Sequence, residues 1–265
     1  MVRTTVVITG STRGLGYCMA REFLRRGCAV VVSGRSEEAV RTAVSGLRGA
    51  EPGAEVHGVP CDTGQSDQVE RLWQQSAAVL GAVDHWILNA GIGQPTRPIW
   101  EVPPALMEEI VRTDLLGVMY GARTAMQGML PRGRGAIWFM EGHGSDGAIR
   151  RGVSVYGAAK RALRYTARAL AREARGTGIL VGALSPGIMV TDFITRQLDS
   201  ASPGERERSK KVFNILADRP EVVARFLVPR ILSARKSGTL IAWLTMRKAM
   251  FRFMTAGLSR RKVID

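Results

Sequence analysis

The chain opens with Met-Val-Arg-Thr-Thr-Val-Val-Ile-Thr-Gly-Ser-Thr-Arg-Gly-Leu-Gly, residues 1–16, a β-branched run that leads straight into a glycine-rich turn. Because Val, Ile and Thr favour extended backbone, residues 1–9 predict a buried strand. From Tyr17 to Arg26 the apolar residues recur at helical spacing, and Gly27 stands where a helix C-terminal cap belongs. The segment therefore predicts a strand, a turn and a helix in direct succession.

The turn itself predicts a site for a phosphate group. Gly10, Gly14 and Gly16 let the backbone approach a ligand closely, and the N-terminus of the next helix offers free N–H groups and a positive dipole end. This spacing differs from the commonest dinucleotide fingerprint, G-x-G-x-x-G. Taken alone, the segment is also compatible with a plain glycine turn.

The remainder of the chain alternates short apolar runs with helical patterns from residue 2 to about 190. Further strands are predicted at residues 29–33, 55–60, 85–89, 135–140 and 179–185. Such alternation is typical of parallel strands with helices on both faces. For the 265 residues we therefore predict an α/β fold, a single-domain Rossmann-type doubly wound parallel sheet.

The charge of the chain is strongly positive, at a formal +15 from 38 Lys and Arg against 23 Asp and Glu. The basic residues are spread over predicted helices, and only 6% of residues are aromatic, so no basic patch interleaved with stacking rings emerges. We expect no specific nucleic-acid partner. A general soluble surface explains the charge better than any single partner does, and the further alternative is that the positive field steers an anionic cofactor and a carboxylated substrate.

Targeting, membrane and metal signals are weak in this sequence. No run reaches the ~18 apolar residues that span a bilayer, and the first residues lack the layout of a signal peptide, so we expect a cytoplasmic protein. The three Cys and three His residues follow no ligand spacing. No metal site is expected.

Tyr156 and Lys160 form the clearest chemical pattern, because four residues of helix place a phenol and an ammonium group on one face. A nearby positive charge favours phenolate and lowers the pKa of Tyr156 toward the range of a general acid or base. The alternative is a packed Tyr beside a solvated Lys.

Four ordered motifs resemble those of the short-chain dehydrogenases/reductases. They are Thr9-Gly10-x-x-x-Gly14-x-Gly16, Asn89-Ala90-Gly91, Tyr156-x-x-x-Lys160 and Pro186-Gly187-x-x-x-Thr191. The resemblance covers nearly the whole chain. It implies a nicotinamide cofactor, redox chemistry on a small-molecule carbonyl or alcohol, and a homodimer or homotetramer.

The same resemblance implies which residues bind the cofactor. They are Gly10, Ser11, Thr12, Arg13, Gly14, Leu15, Gly16, Asp62, Asn89, Ala90, Gly91, Tyr156, Lys160, Pro186, Gly187, Ile188 and Thr191. In relatives an Asp at the position of Asp62 binds the adenine amino group, although an N-cap or turn carboxylate is the alternative here. Ile188 and Thr191 would hold the nicotinamide carboxamide.

The cofactor type is predicted from the end of the second strand. Gly34 occupies the position where NAD-specific relatives carry an acid for the ribose 2′-hydroxyl, and Arg35 and Ser36 follow it. A guanidinium group binds a 2′-phosphate with its fork of donors. Arg13 could reach the same phosphate, or stay a solvated loop charge. We therefore predict NADP(H).

The catalytic constellation departs from the family at two positions. The resemblance implies that Tyr156 donates a proton to the carbonyl oxygen, while Lys160 lowers the pKa of Tyr156 and binds the nicotinamide ribose. The family Ser, about thirteen positions before the Tyr, falls on His143. We predict Ser145 as the supporting hydroxyl, with His143 as an alternative donor to the substrate. Asp114 replaces a family Asn that holds a relay water, and would raise the pKa of Lys160 if close.

Two segments resemble the chlorophyll b reductase branch of the family, namely residues 140–147 and 213–224, and the likeness continues through residues 227–230. The resemblance implies NADPH-dependent reduction of a formyl group on a bulky hydrophobic pigment. Because Asp114 and the displaced Ser depart from the family pattern, a non-catalytic NADP(H)-binding sensor or scaffold is the alternative.

Residues 193–234 are predicted as a substrate-loop and helical region, and residues 235–265 as a basic amphipathic tail. Apolar and basic residues alternate in the tail: Trp243, Leu244, Met246, Met250, Phe251, Phe253, Met254 and Leu258 with Arg247, Lys248, Arg252, Arg260, Arg261 and Lys262. Such a segment suits an anionic membrane surface, a lid over a hydrophobic substrate, or a helix packed on its own domain or a dimer partner.

Overall fold

A computed structural model describes residues 3–189, 203–256, 261 and 263 of the chain. The strands are β1 Thr5–Ile8, β2 Ala29–Gly34, β3 Val56–Pro60, β4 His85–Leu88, β5 Gly135–Met140, β6 Ile179–Ser185 and β7 Leu240–Ala242. The helices are α1 Gly14–Arg25, α2 Glu37–Ala50, α3 Ser66–Leu80, α4 Pro104–Val111, α5 Gly117–Met129, α6 Ser154–Glu173, α7 Pro203–Leu216, α8 Pro220–Ser233 and α9 Met246–Met254.

The seven strands form one parallel sheet in the order β3-β2-β1-β4-β5-β6-β7. β1 pairs with β2 on one side, where Val6 faces Val30, and with β4 on the other, where Val6 faces His85. The chain order reverses direction at β1, which opens a crevice at the carboxyl ends of β1 and β4. The predicted α/β fold is confirmed.

Successive residues of each strand enter different cores, as a period of two requires. Val6 and Ile8 pack in a buried cluster with residues of α1 and α8, whereas Val7 packs in a second cluster with residues of α3, α5 and α6. Because both faces are covered, the strands read as continuous apolar runs rather than as an alternation of polar and apolar residues. The helices thus cover both faces of the sheet, and the glycine turn lies at the carboxyl end of β1 between them.

The seventh strand lies inside the segment that the sequence assigns to a basic tail. Leu240–Ala242 pairs in parallel with β6, and Ile241 is buried in the core. A three-residue strand has too little pattern to be predicted, and its pairing with β6 makes it extended. Among the described residues of this segment, α9 is the helical part. Of the predicted region 193–234, residues 193–202 lie outside the described ranges, and the rest contains α7 and α8.

None of the described helices is both long and apolar enough to cross a membrane. Within the same described ranges, no three His, Cys, Asp or Glu side chains gather as a metal site.

His85 gives the stability of this fold a pH dependence. Its Nδ1 accepts a hydrogen bond from Trp138 Nε1 at 3.3 Å, and burial lowers the pKa of His85 to about 4. Between this value and the unfolded pKa of ~6.5, the unfolded chain binds a proton that the folded chain does not. The free energy of unfolding should therefore fall as the pH drops through this range, by on the order of 1–2 kcal/mol at pH ~5.

Replacing His85→Gln should remove this part of the pH dependence, because the Gln amide does not titrate and its oxygen can still accept from Trp138. Urea unfolding of both proteins between pH 5 and 7 measures the slope. An unchanged slope in the variant would contradict this assignment to His85.

Candidate active site

The carboxyl ends of β1 and β4 are tied together by two polar side chains. The Thr9 hydroxyl oxygen accepts hydrogen bonds from the backbone N–H groups of Asn89 and Ala90, both at 3.0 Å. The Asn89 side-chain amide donates to the carbonyl oxygens of Thr9 and Gly10, both at 2.9 Å. Asn89 therefore braces the start of the glycine turn.

The glycines of the turn are required by space and by backbone conformation. Gly10 has φ +61°, and a β-carbon there would lie 2.7 Å from the Cα of Ala90. A β-carbon on Gly16 would lie 2.5 Å from the Gly10 carbonyl oxygen. Since α1 begins at Gly14, its first N–H groups have no partner within the helix. This backbone cradle fits the phosphates of a dinucleotide.

Two hydroxyls predicted to bind the cofactor are used by the protein itself. Ser11 is fully buried, and its Oγ donates to the Ile8 carbonyl at 2.6 Å and accepts from the Ser33 N–H at 2.9 Å. Ser36 is the N-cap of α2, where its Oγ accepts from the Ala39 N–H at 3.3 Å. The Ser11 and Ser36 hydroxyls therefore already make hydrogen bonds that stabilise the protein itself.

The end of β2 explains the absence of an acid at Gly34. A β-carbon on Gly34 would lie 2.7 Å from the methyl group of Thr12, so any larger side chain collides with the turn. Arg35 is exposed, and its Nη1 lies 3.1 Å from Glu109 Oε1 on α4. Exposed pairs of this kind contribute little free energy, so the guanidinium group of Arg35 can exchange partners easily.

Asp62 follows β3 and closes a turn. Its Oδ1 accepts from the Gly64 N–H at 3.0 Å, and its own N–H donates to Gln68 Oε1 at 2.8 Å. This is the turn role that the sequence left open for Asp62. Adenine recognition by Asp62 stays a prediction.

Helix α6 carries Tyr156 and Lys160 on one face, with Lys160 Nζ 5.5 Å from the centre of the Tyr156 ring. The first turn of this helix is held by Gln94, a fully buried residue that sequence reasoning missed. Gln94 Oε1 accepts from the N–H groups of Val155 and Tyr156 at 3.1 and 3.0 Å. Because Gln94 lies in a loop about sixty residues away in the sequence, no local sequence pattern predicts that it caps α6.

Asp114 lies beside Lys160, which is the condition under which the sequence predicts a raised pKa of Lys160. It is fully buried within the π-helical turn Arg112–Leu116, and its Oδ2 is 3.0 Å from Lys160 Nζ. Its Oδ1 accepts from the Ile92 N–H at 2.7 Å. A β-carbon on Gly91 would lie 3.2 Å from Asp114 Oδ2 and 3.3 Å from Lys160 Nζ, so Gly91 leaves room for the pair.

Burial and neighbouring charges shift the pKa values of Lys160 and Tyr156. Burial lowers the pKa of Lys160, but Asp114 and Tyr156 raise it, and the net direction is upward. Burial and the Asp114 carboxylate raise the pKa of Tyr156 more than Lys160 lowers it. Lys160 thus lowers the pKa of Tyr156, as the sequence predicts, but burial and the Asp114 charge, which the prediction left out, keep that pKa above its usual value.

Gly142 touches the phenol of Tyr156. A β-carbon on Gly142 would lie 2.2 Å from the Tyr156 hydroxyl oxygen, and its N–H donates to Ser145 Oγ at 3.1 Å. Ser145 is buried, so the structure brings its hydroxyl and the phenol to the same loop residue. His143 is exposed, and partial burial and the Arg150 charge lower its pKa. Ser145 fits the supporting role better than His143 does.

The segment after β6 forms the other side of the crevice. Gly187 has φ +73°, and a β-carbon there would lie 2.5 Å from Leu244 Cβ. The Ile188 carbonyl accepts from the Asp218 N–H at 3.0 Å. Thr191, the predicted carboxamide ligand, lies outside the described residues.

The chain belongs to the short-chain dehydrogenase family, whose profile matches residues 4–201. The glycine cradle, the Asn89 brace and the Tyr156–Lys160 helix occupy that matched region. The family is one of oxidoreductases that bind a nicotinamide cofactor.

Among curated proteins the chain is similar to chlorophyll(ide) b reductases of plants. It is 35% identical to the probable chlorophyll(ide) b reductase NYC1 of Oryza sativa subsp. japonica, over 98% of this chain and 53% of that protein. It is 38% identical to the chlorophyll(ide) b reductase NOL of Arabidopsis thaliana, over 98% of this chain and 72% of that protein. The chain thus spans about half the length of the NYC1 relatives.

Solved structures agree with the fold. Levodione reductase superposes with a TM-score of 0.83 at 24% identity, covering 93% of this chain and 98% of that one. An actinorhodin polyketide ketoreductase, solved with NADPH, gives 0.79 at 25% identity, covering 91% of this chain and 96% of that one.

Replacing Gly142→Ala should displace the Tyr156 phenol, because the new methyl group would overlap its oxygen. We expect kcat/KM for a reducible carbonyl to fall by about 100-fold while the protein stays folded. Gly157→Ala is the matched control, since a β-carbon there meets no atom within 4 Å. Equal activity of the two variants, with melting temperatures like the wild type, would contradict the placement of Tyr156 against Gly142.

Proposed function

We propose that this protein reduces an aldehyde or ketone to an alcohol, with Tyr156 as the proton donor. The observation that carries the proposal is the half-buried Tyr156 beside the buried pair of Lys160 and Asp114, next to the glycine cradle at the carboxyl ends of the strands. A bound reduced nicotinamide would supply hydride to the carbonyl carbon. Tyr156 gives its proton to the carbonyl oxygen, and Ser145 supports that oxygen.

The raised pKa of Tyr156 bears on the protonation state of the phenol. A phenol with a pKa above its usual range stays protonated at neutral pH and is ready to donate. Lys160, held charged by Asp114, can bind the cofactor ribose without giving up its proton. Tyr156 and Lys160 therefore both start in the protonated states that this mechanism requires.

NADP(H) is the proposed cofactor. The exposed guanidinium group of Arg35 stands beyond β2, and Gly34 cannot be replaced by an acid without striking Thr12. The formal charge of +15 attracts a 2′-phosphate over a longer range. The actinorhodin ketoreductase solved with NADPH supports the same choice.

The proposed substrate is a bulky hydrophobic compound with a formyl group, such as a chlorophyll b-type pigment. The likeness to plant chlorophyll(ide) b reductases supports this class, and it extends over 98% of this chain. α9 exposes Met246, Phe251 and Met254 on a basic protein, which suits peripheral contact with an anionic membrane. That contact, a homodimer or homotetramer, and a cytoplasmic location stay predictions.

Replacing Tyr156→Phe should lower kcat by roughly 100-fold or more, because the proton donor is lost. NADPH binding should persist, since the ring and Lys160 remain. Tyr165→Phe is the matched control on the same helix, where the side chain is exposed. The measurement is NADPH oxidation against a panel of bulky formyl and keto compounds, pheophorbide-type pigments included, together with calorimetric titration of NADPH.

The same panel separates catalysis from a non-catalytic sensor or scaffold role. A wild-type protein that binds NADPH but oxidises it with no carbonyl compound would favour the sensor. Turnover that survives in Tyr156→Phe would sink the assignment of Tyr156 as proton donor.

Replacing Arg35→Gln should raise the KM for NADPH roughly tenfold or more and leave the KM for NADH nearly unchanged, because only NADPH carries the 2′-phosphate. Arg41→Gln on the neighbouring helix α2 is the charge-matched control. A parallel change for both cofactors would contradict phosphate recognition by Arg35.

A further inference from the structure

Asp218 contacts three parts of the chain: the segment after β6, the C-terminal end of α7 and the C-terminal residues. It follows α7, within the segment 213–224, and only 5% of its surface is exposed. Its backbone N–H donates to the Ile188 carbonyl at 3.0 Å, and a parallel β-bridge links Asp218 to Met189. One residue therefore holds the backbone directly after Pro186-Gly187.

The carboxylate of Asp218 is occupied by the C-terminal part of the chain. Trp243 Nε1 donates to Oδ2 at 2.7 Å, and Arg252 Nη1 donates to the same oxygen at 2.7 Å. Arg261 pairs with Oδ1. Although burial alone raises the pKa of Asp218, these donors lower it overall, so the group stays charged. A buried charge with this many partners is fixed in position.

The two arginines have a second task at the same place. Arg252 Nη1 also donates to the Leu216 carbonyl at 3.0 Å, and Arg261 Nη1 donates to the Ile215 carbonyl at 3.1 Å. These are carbonyl groups at the C-terminus of α7, which lack partners within the helix and attract cations. Asp218 thus lies at a junction of α7 with the C-terminal residues.

Trp243 and Leu244 also contact residues 185–187 directly. The Trp243 N–H donates to the Ser185 carbonyl at 2.9 Å, and Leu244 occupies the space where a side chain on Gly187 would be. Trp243 is itself fixed by an edge-on contact with Phe226, at 5.0 Å between ring centres. The end of β6 and the segment that follows it are therefore contacted at Ser185, Gly187 and Ile188.

We propose that Asp218 is a positioning residue for the nicotinamide half of the cofactor. Its backbone holds Ile188, and its carboxylate anchors Trp243 and Arg252, so that the backbone of residues 186–188 keeps the shape needed to face the nicotinamide ring. The inference rests on the proposed NADPH-dependent function. It assigns the segment 213–224 a role in cofactor geometry rather than in substrate contact.

The consequence is a difference between the two halves of NADPH. The adenosine half would be held by the glycine cradle and Arg35, at the carboxyl ends of β1 and β2, whereas residues 186–188 after β6 would hold the nicotinamide half. Loss of the Asp218 anchor should weaken the second set of contacts and spare the first. A general loss of stability would weaken both.

The test is calorimetric titration of the full chain with NADPH and with 2′,5′-ADP, which contains only the adenosine half. In Asp218→Asn we expect the Kd for NADPH to rise roughly tenfold, and the Kd for 2′,5′-ADP to stay within about twofold of the wild type. Asp67→Asn is the control, because it removes an exposed carboxylate paired with Arg71 on α3.

Trp243→Phe provides a second variant that keeps the ring against Phe226 and removes only the Nε1–H donor. Arg252→Lys should recover part of the NADPH affinity lost in Arg252→Gln, because the charge is retained. Equal weakening of both ligands in these variants, or no weakening of either, would overturn the proposal. A wild-type chain whose affinity for NADPH is no greater than for 2′,5′-ADP would overturn it as well.

Titration keeps this test separate from the proposed activity. If the wild type binds NADPH tightly but reduces no carbonyl compound, the proposed function fails while the difference between the two ligands still reports on Asp218. If turnover is present and the two ligands respond alike, only the inference on Asp218 fails.

Discussion

The brace between β1 and β4 is the contact on which the site depends. At this point the strand order reverses, and the two carboxyl ends must separate without leaving buried backbone groups unpaired. The Thr9 hydroxyl and the Asn89 amide supply the missing partners. They hold the turn open, and only glycine at position 10 permits Ala90 to come so close.

The buried pair of Lys160 and Asp114 sets the electrostatics of the site. A lysine with 4% exposure would lose its charge without a partner, and Asp114 supplies one at 3.0 Å. The same carboxylate raises the pKa of Tyr156. Glycine at positions 91 and 142 keeps the space around these groups free of side chains. An Asn in place of Asp114 would carry no charge, so the Lys160 ammonium group would lose its buried counter-charge.

The crevice has two ends that are built differently. On the β1–β2 side, backbone N–H groups and exposed arginine meet the solvent, which suits an exchangeable phosphate ligand. On the β6 side, the segment after the strand is covered by β7, Trp243 and the Asp218 junction. The elements that cover this end, β7 and α9, are the last strand and the last described helix of the chain.

The sequence alone determined the parallel sheet and the helix that carries Tyr156 and Lys160, because apolar runs and i, i+4 spacing are local properties. It could not determine that β7 is a strand, that Gln94 caps α6, or that Gly142 faces the phenol. Nor could it give the net pKa of Tyr156. These features arise from contacts between residues far apart in the chain, and burial, which sets pKa values and leaves room for only a hydrogen atom at Gly142, exists only once the tertiary structure has formed.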